Sequence, residues 1–230
     1  MTKVIGFFYT ILYMNDFDKE IFTTHSPTHI IGIDEAGRGC LAGPVVSASF
    51  IMPKNFINIY KDATDSKKLT PAKREKIFRQ IIANPQSFGV GFSCNREIDK
   101  INILNATFLS MKRSHQKFSK ISGTLTLVDG NHKIRGVNIN QMPVIKGDSK
   151  SLAIGLASIV AKVTRDRYML ILDKMYPEYG FAGHKGYPSK SHIEAIKKYG
   201  ICPAHRTSYA PIKKYLANLE PEGEYEPEFF

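Results

Sequence analysis

Asp34 and Glu35 stand side by side at the end of an apolar run, Ile30-Ile31-Gly32-Ile33, and lead directly into Gly37-Arg38-Gly39. Adjacent carboxylates leaving a buried strand repel each other and cost desolvation unless a cation lies between them. A divalent metal is the simplest resolution. The Gly-Arg-Gly loop lets backbone N–H groups and one guanidinium approach a phosphate closely. Metal ligands beside a phosphate-binding loop are the ingredients of phosphodiester chemistry. The plainer alternative for these ten residues is a strand-capping Asp34 and a solvated Glu35 in a turn.

Two more carboxylates fit the first reading. Asp129 closes Thr124-Leu125-Thr126-Leu127-Val128 and precedes Gly130; Asp148 follows Lys146-Gly147 where a helical pattern starts. Singly, Asp-Gly is a common turn and Asp148 could be a helix N-cap. Together with Asp34 and Glu35 they stand where strands end or a helix begins, which is where α/β sites assemble. Oxygen ligands of this kind select Mg²⁺ or Mn²⁺, and two such ions can activate a water and stabilise the leaving oxygen of a phosphodiester. Asp166 is a fifth candidate. It follows Asp148 on what reads as one helix, about 27 Å further on at 1.5 Å per residue. It therefore shares no metal with Asp148 and is expected to order the flanking Arg165 and Arg167.

The elements that must position these groups read as a mixed α/β domain. Strands are expected at His29–Asp34, Pro44–Ile51, Phe88–Cys94, Thr124–Val128 and Met142–Ile145. A helix from Pro71 to about Ala83 has Thr70 as its N-cap and proline in first position. Helical patterning runs from Asn105 to about Ile121, and a long helix from about Ser149 to Met175. The latter has small residues, Ala153, Gly155, Ala157, Ser158 and Ala161, suited to close approach to a sheet. Helices at Ser189–Tyr199 and Pro211 to about Leu219 form a basic C-terminal cap. The expected organisation is an N-terminal extension (1–27), a catalytic α/β domain (28–180), the cap (181–219) and an acidic, disordered tail (220–230).

The chain has 230 residues and a net charge of +11, enough for one sizeable core. The last fourteen residues hold five glutamates and no lysine or arginine, so the rest of the chain carries +16. A body this basic attracts a polyanion, of which nucleic acid is the commonest. Cys40, Cys94 and Cys202 form no C-x-x-C pair, which suits a reducing, cytoplasmic setting without disulfides or zinc fingers. His184, His192 and His205 share a basic region without a zinc-ligand spacing. Val4–Met14 is apolar but too short to span a bilayer and lacks a cleavage site; Met14 reads as the true start. No membrane association is expected.

These residues carry a family resemblance. The chain resembles ribonuclease HII, the type 2 ribonuclease H, from Ile31 to about Pro211. The matching motifs are Gly32 through Val46 (GIDEAGRGCLAGPVV), Asp65-Ser66-Lys67-Lys68-Leu69, Val128-Asp129-Gly130, Lys146-Gly147-Asp148, Ala157 through Asp166 (ASIVAKVTRD), His184-Lys185-Gly186-Tyr187-Pro188, and His205-Arg206-x-Ser208-Tyr209. The sister type HIII usually carries Gly-Lys-Gly at the loop and a separate N-terminal substrate-binding domain.

The resemblance implies an RNase H-like mixed sheet flanked by helices. It implies Mg²⁺ or Mn²⁺ held by Asp34, Glu35, Asp129 and Asp148. The implied substrate is RNA paired with DNA, including a single ribonucleotide in duplex DNA, cut on its 5′ side to leave a 3′-hydroxyl and a 5′-phosphate. Gly37, Arg38 and Gly39 are implied as the reader of the 2′-hydroxyl, and Tyr187 as the residue packed on the adjacent deoxyribose. From the residues themselves, a glycine loop offers backbone groups to the one hydroxyl that distinguishes RNA. Ser66, Lys67 and the basic run Lys185–Lys214 can hold phosphates. A monomer is expected. Phe229-Phe230 lacks the glutamine and apolar residue of a sliding-clamp peptide, Gly223 and Glu226 standing there instead. Two other functions compete: another RNase H-like, metal-dependent DNA nuclease, against which the glycine loop argues, and a catalytically idle nucleic-acid-binding module, against which the four carboxylates argue.

Overall fold

β1 (His29–Ala36) lies at the centre of a five-stranded sheet in the order β3-β2-β1-β4-β5. The other strands are β2 (Val45–Pro53), β3 (Phe88–Ser93), β4 (Thr124–Asp129) and β5 (Gln141–Val144). β1, β2 and β3 form an antiparallel meander, while β4 and β5 run parallel to β1. The structure, a computed structural model, describes residues 16–54 and 69–218.

Side chains alternate across β1, as strand geometry requires. Ile31 and Ile33 join Phe108 and Met111 on one face, against α3 (Asn95–His115). Ile30 faces the opposite layer with Leu152 to Ile154 of α5 (Leu152–Met175). Gly32 shows how close α5 comes: a Cβ there would lie 2.1 Å from the Ala153 carbonyl carbon. α2 (Pro71–Ile82) packs beside α5; Thr70 caps it by accepting from the Lys73 N–H at 3.3 Å, with Pro71 in the first turn, as expected.

α6 (Phe181–His184), α7 (Lys190–Tyr199) and α8 (Ala210–Ala217) make the C-terminal cap. Its apolar cluster, with Phe181, Ile196 and Ile212, includes Leu41 of the loop after β1 and Met169 and Leu172 of α5. The cap thus shares a core with α5 and the loop after β1. The expected architecture, a mixed sheet flanked by helices and closed by a helical cap, is the one observed. Among the described residues, no helix is long and apolar enough to cross a membrane.

Three local expectations are corrected. α3 begins at Asn95, ten residues before the expected start, because Cys94 and Glu97 form a capping box and Asn102 breaks the helix with φ 64° and ψ 164°. The long helix expected from Ser149 is two pieces. A single turn, α4 (Gly147–Lys150), is separated from α5 by Ser151, whose extended backbone (φ −106°, ψ 128°) makes it the N-cap of α5. The separation of about 27 Å between Asp148 and Asp166 presumes an unbroken helix; only Leu152 to Asp166, about 21 Å of it, lies on α5. Finally, residues 16–24, assigned to the extension, form a helix (α1) whose Ile21 and Phe22 are 5% and 2% exposed in the α5 core.

Candidate active site

Parallel pairing of β1 with β4 sets Ile33 opposite Val128. The next residues of the two strands, Asp34 and Asp129, therefore emerge together at one end of the sheet. With Glu35 they line a pocket of ≈ 310 Å³ whose wall continues through Gly37, Arg38 and Gly39. The alternation of β1 sends Asp34 toward α5 and Glu35 the other way. Asp34 is 5% exposed. It accepts from the Glu35 N–H at 2.7 Å and from the Ser158 hydroxyl of α5. Burial first, and then the charges of Glu35 and Asp129, hold its carboxyl well above the ordinary range. Glu35 pairs with Arg38 at 3.2 Å.

Asp129 accepts from the Gly147 N–H at 2.6 Å, so the turn carrying Asp148 is tied to the end of β4. Asp148 itself is 4% exposed and does not line the pocket. The fold thus brings three of the four expected carboxylates into one cavity, with the fourth buried on the adjoining turn and outside the lining. Among the described residues, no three His, Cys, Asp or Glu side chains converge into a cation cage. The donor chemistry still fits a hard cation: oxygen ligands only, with burial first and then the anionic neighbours disfavouring the ionised form of Asp34, a cost that a bound ion relieves.

The loop after β1 is built for one conformation. Gly37 has φ +96°, and a Cβ there would meet the Arg165 Nε at 1.9 Å. Two arginines, 1% and 0% exposed, hold this loop from beneath. Arg206 donates to the carbonyls of Gly37 (2.7 Å), Arg38 (2.9 Å) and Gly43 (2.9 Å), and Tyr209 also donates to Arg38. Arg165 donates to the carbonyls of Pro44 (3.1 Å), Ala42 (3.2 Å) and Lys185 (2.9 Å). A planar fork satisfies several carbonyls at once, which an ammonium cannot do. Arg165 is therefore ordered by backbone, not by Asp166, which pairs with Lys162 at 2.7 Å; Arg167 pairs with Glu75.

Tyr187, half-exposed, lines the same pocket, its ring 5.9 Å from the Arg165 guanidinium carbon. Its segment docks on the loop after β1: Leu41 donates to the Gly186 carbonyl at 2.8 Å. His192 Nδ1 donates to the Tyr187 carbonyl (2.9 Å), and its Nε2 accepts from His205 Nε2 (3.1 Å). Burial pushes both imidazoles down to about 4, so they are neutral near pH 7. Arg74 and Lys162 also line the pocket. The sequence reading missed both, although Lys162 lies one helical turn beyond Ser158 on the face of α5 that meets Asp34. Ser66 and Lys67 lie outside the described residues.

Comparisons with known proteins give the family and the fold. The sequence model of the ribonuclease HII family matches residues 31–212. The ribonuclease HII of Endomicrobium trichonymphae is 48% identical over 191 residues, covering 83% of this chain and 90% of that one. The crystal structure of ribonuclease H2 from Pyrococcus horikoshii superposes with a TM-score of 0.66 at 28% identity, over 83% of this chain and 98% of that one. Bst-RNase HIII in complex with Mn²⁺ shares the fold at a TM-score of 0.63 and 18% identity, over 84% of this chain and 70% of that one. Matched over most of its length, with its sheet-end carboxylates and glycine loop inside the matched segment, the chain belongs to the ribonuclease HII family and is a ribonuclease H enzyme.

Proposed function

We propose that this ribonuclease H hydrolyses the RNA strand of RNA–DNA hybrids and incises duplex DNA on the 5′ side of an embedded ribonucleotide, leaving a 3′-hydroxyl and a 5′-phosphate. The observation that carries the reading is one pocket holding Asp34, Glu35 and Asp129 beside a backbone loop with no side chain at Gly37 or Gly39. Asp34, Glu35, Asp129 and Asp148 would hold Mg²⁺ or Mn²⁺. Two bound ions would supply a polarised water and neutralise charge on the leaving oxygen.

The residues of the chain do the rest. Arg38, Arg74 and Lys162 bring three cations to the pocket and hold the backbone phosphates. The Gly37–Gly39 backbone bonds the 2′-hydroxyl, its geometry fixed by Arg165 and Arg206. Tyr187 lays its ring against the neighbouring deoxyribose, and Ser66 and Lys67 add phosphate contacts. Discrimination by a buried polar group is strong, because the group goes unpaired when the hydroxyl is missing.

The test is cleavage of duplex DNA containing one ribonucleotide, against the all-DNA duplex, with and without Mn²⁺, by the wild type and by Asp129→Asn. The expected result is metal-dependent cutting at the ribonucleotide only, lost in Asp129→Asn while duplex binding persists. Equal cutting of both duplexes would favour a DNA nuclease instead, and near wild-type turnover in Asp129→Asn would remove that ligand from the centre.

A further inference from the structure

Asp18, in α1, is fully buried although it is a carboxylate. It lies outside the segment matched by the family. Its Oδ2 accepts from the Leu152 N–H at 2.6 Å, the first residue of α5. Its Oδ1 has no hydrogen-bond partner. Phe17, Ile21 and Phe22 clamp α1 against the same core as Leu152, Ala153 and Ile154. A buried carboxylate is costly even with hydrogen bonds from Ser151, Leu152 and Ala153, so its place at the start of a 24-residue helix calls for a reason. A helix N-terminus attracts negative charge and offers unpaired N–H groups.

The turn that Asp18 holds is mechanically connected to the pocket on two sides. On one, Ala153 presses on Gly32 of β1, two residues before Asp34. On the other, the break at Ser151 joins α5 to α4, which carries Asp148 and whose Gly147 N–H binds Asp129. The Ile154 side chain also backs Gly147, where an added Cβ would lie 2.5 Å from its Cδ1.

We infer that Asp18 is a positioning residue for the metal-binding carboxylates: by fixing the first turn of α5, it sets where Asp148 and the Gly147–Asp129 hydrogen bond stand. The inference rests on the proposed reading of those carboxylates as metal ligands. The N-terminal helix then reaches the catalytic scaffold through this one side chain. Burial pushes the Asp18 carboxyl up to about 7, so asparagine, neutral and still an acceptor for Leu152, is a close substitute.

The experiment is Mn²⁺ binding by titration calorimetry without nucleic acid, paired with thermal melting. Asp18→Ala is expected to weaken Mn²⁺ binding about tenfold, the low end of what losing a direct partner of a metal ligand costs, since Asp18 acts through α4, and Asp18→Asn to restore it. Phe22→Ala loses core packing on the same helix and should lower the melting temperature with Mn²⁺ binding unchanged. Should Asp18→Ala fail to fold, Leu152→Pro removes the donated N–H at a helix position where proline is accepted, after a residue already in the β region; it should show the same tenfold loss. Wild-type Mn²⁺ binding in Asp18→Ala or, if that variant does not fold, in Leu152→Pro would overturn this inference alone. So would an equal loss in Phe22→Ala, which would reduce Asp18 to general stability. A wild-type chain that binds no Mn²⁺ would overturn the metal reading itself.

Discussion

At the residue scale, the site is a set of side chains whose burial conflicts with their charge. Asp34 is a buried carboxyl beside two other carboxylates, and Arg165 and Arg206 are cations whose bonds run to carbonyls. The two arginines convert a glycine-rich loop, which would otherwise sample many conformations, into a fixed surface. Arg206→Lys tests this. Tyr209 keeps the Arg38 carbonyl paired, but one ammonium lacks the fork that spans the carbonyls of Gly37 and Gly43, so one of these two is left unpaired, at about 1–3 kcal/mol. The expected result is a fall in kcat/KM on ribonucleotide-containing duplex of about 10²-fold, the scale of a misplaced reacting geometry, with non-specific duplex binding unchanged. Equal activity of wild type and variant would show that the loop holds itself. Asp34, Glu35, Asp129 and Gly37–Gly39 were legible in the sequence because their types are improbable at the end of an apolar strand. Arg206 and Arg165 were not, since nothing in a local pattern says that an arginine turns inward. That Glu35 would face away from Asp34 does follow from strand alternation.

At the scale of elements, what the sequence announced were segments whose stability is local: β1, β2 and β4 by their apolar runs, and α2 by its Thr-Pro cap. What it concealed were breaks imposed by tertiary contacts. α3 is the clearest case. Glu97 and Arg113 lie sixteen residues apart, about 24 Å on a straight helix, yet they meet in two bonds of 2.9 and 2.7 Å. Asn102 makes that possible by folding the first turns back on the rest. Arg113 also donates to the Phe92 carbonyl at 2.6 Å, so the pair fastens α3 to β3. The Arg113 guanidinium beside it pulls the Glu97 carboxyl down to about 2. A carboxylate depressed in the fold adds stability that is present above its unfolded value, near 4.5, and lost as pH falls toward 2. Glu97→Gln should therefore melt below wild type at pH 7, with the gap closing between pH 4.5 and 2. Because both side chains are partly exposed, the loss at pH 7 should stay at or below about 1 kcal/mol. A gap that does not change with pH would make the interaction one of packing and not of charge.

At the scale of the whole molecule, charge is divided along the chain. The five glutamates that follow Leu219 oppose a remainder of +16. Phosphate contacts govern duplex affinity through counterion release, and long-range attraction governs the encounter rate. The glutamates supply no candidate ligand, so a chain ending at Leu219 should cut at the wild-type kcat. It should also bind duplex more tightly at low salt, because the opposing charge is gone. Charges that act at a distance are screened once the Debye length shortens to about 3 Å near 1 M salt. The affinity difference between the two chains should accordingly shrink as salt rises, while Asp129→Asn stays inactive at every concentration. Fluorescence anisotropy with a labelled duplex between 0.05 and about 1 M salt, alongside single-turnover cleavage, measures both quantities. If the shortened chain lost turnover while remaining folded, the tail would belong to the catalytic machinery. If the two chains bound alike at low salt, the division of charge along the sequence would have no part in substrate capture, which would then rest on the local cations of the pocket, Arg38, Arg74 and Lys162.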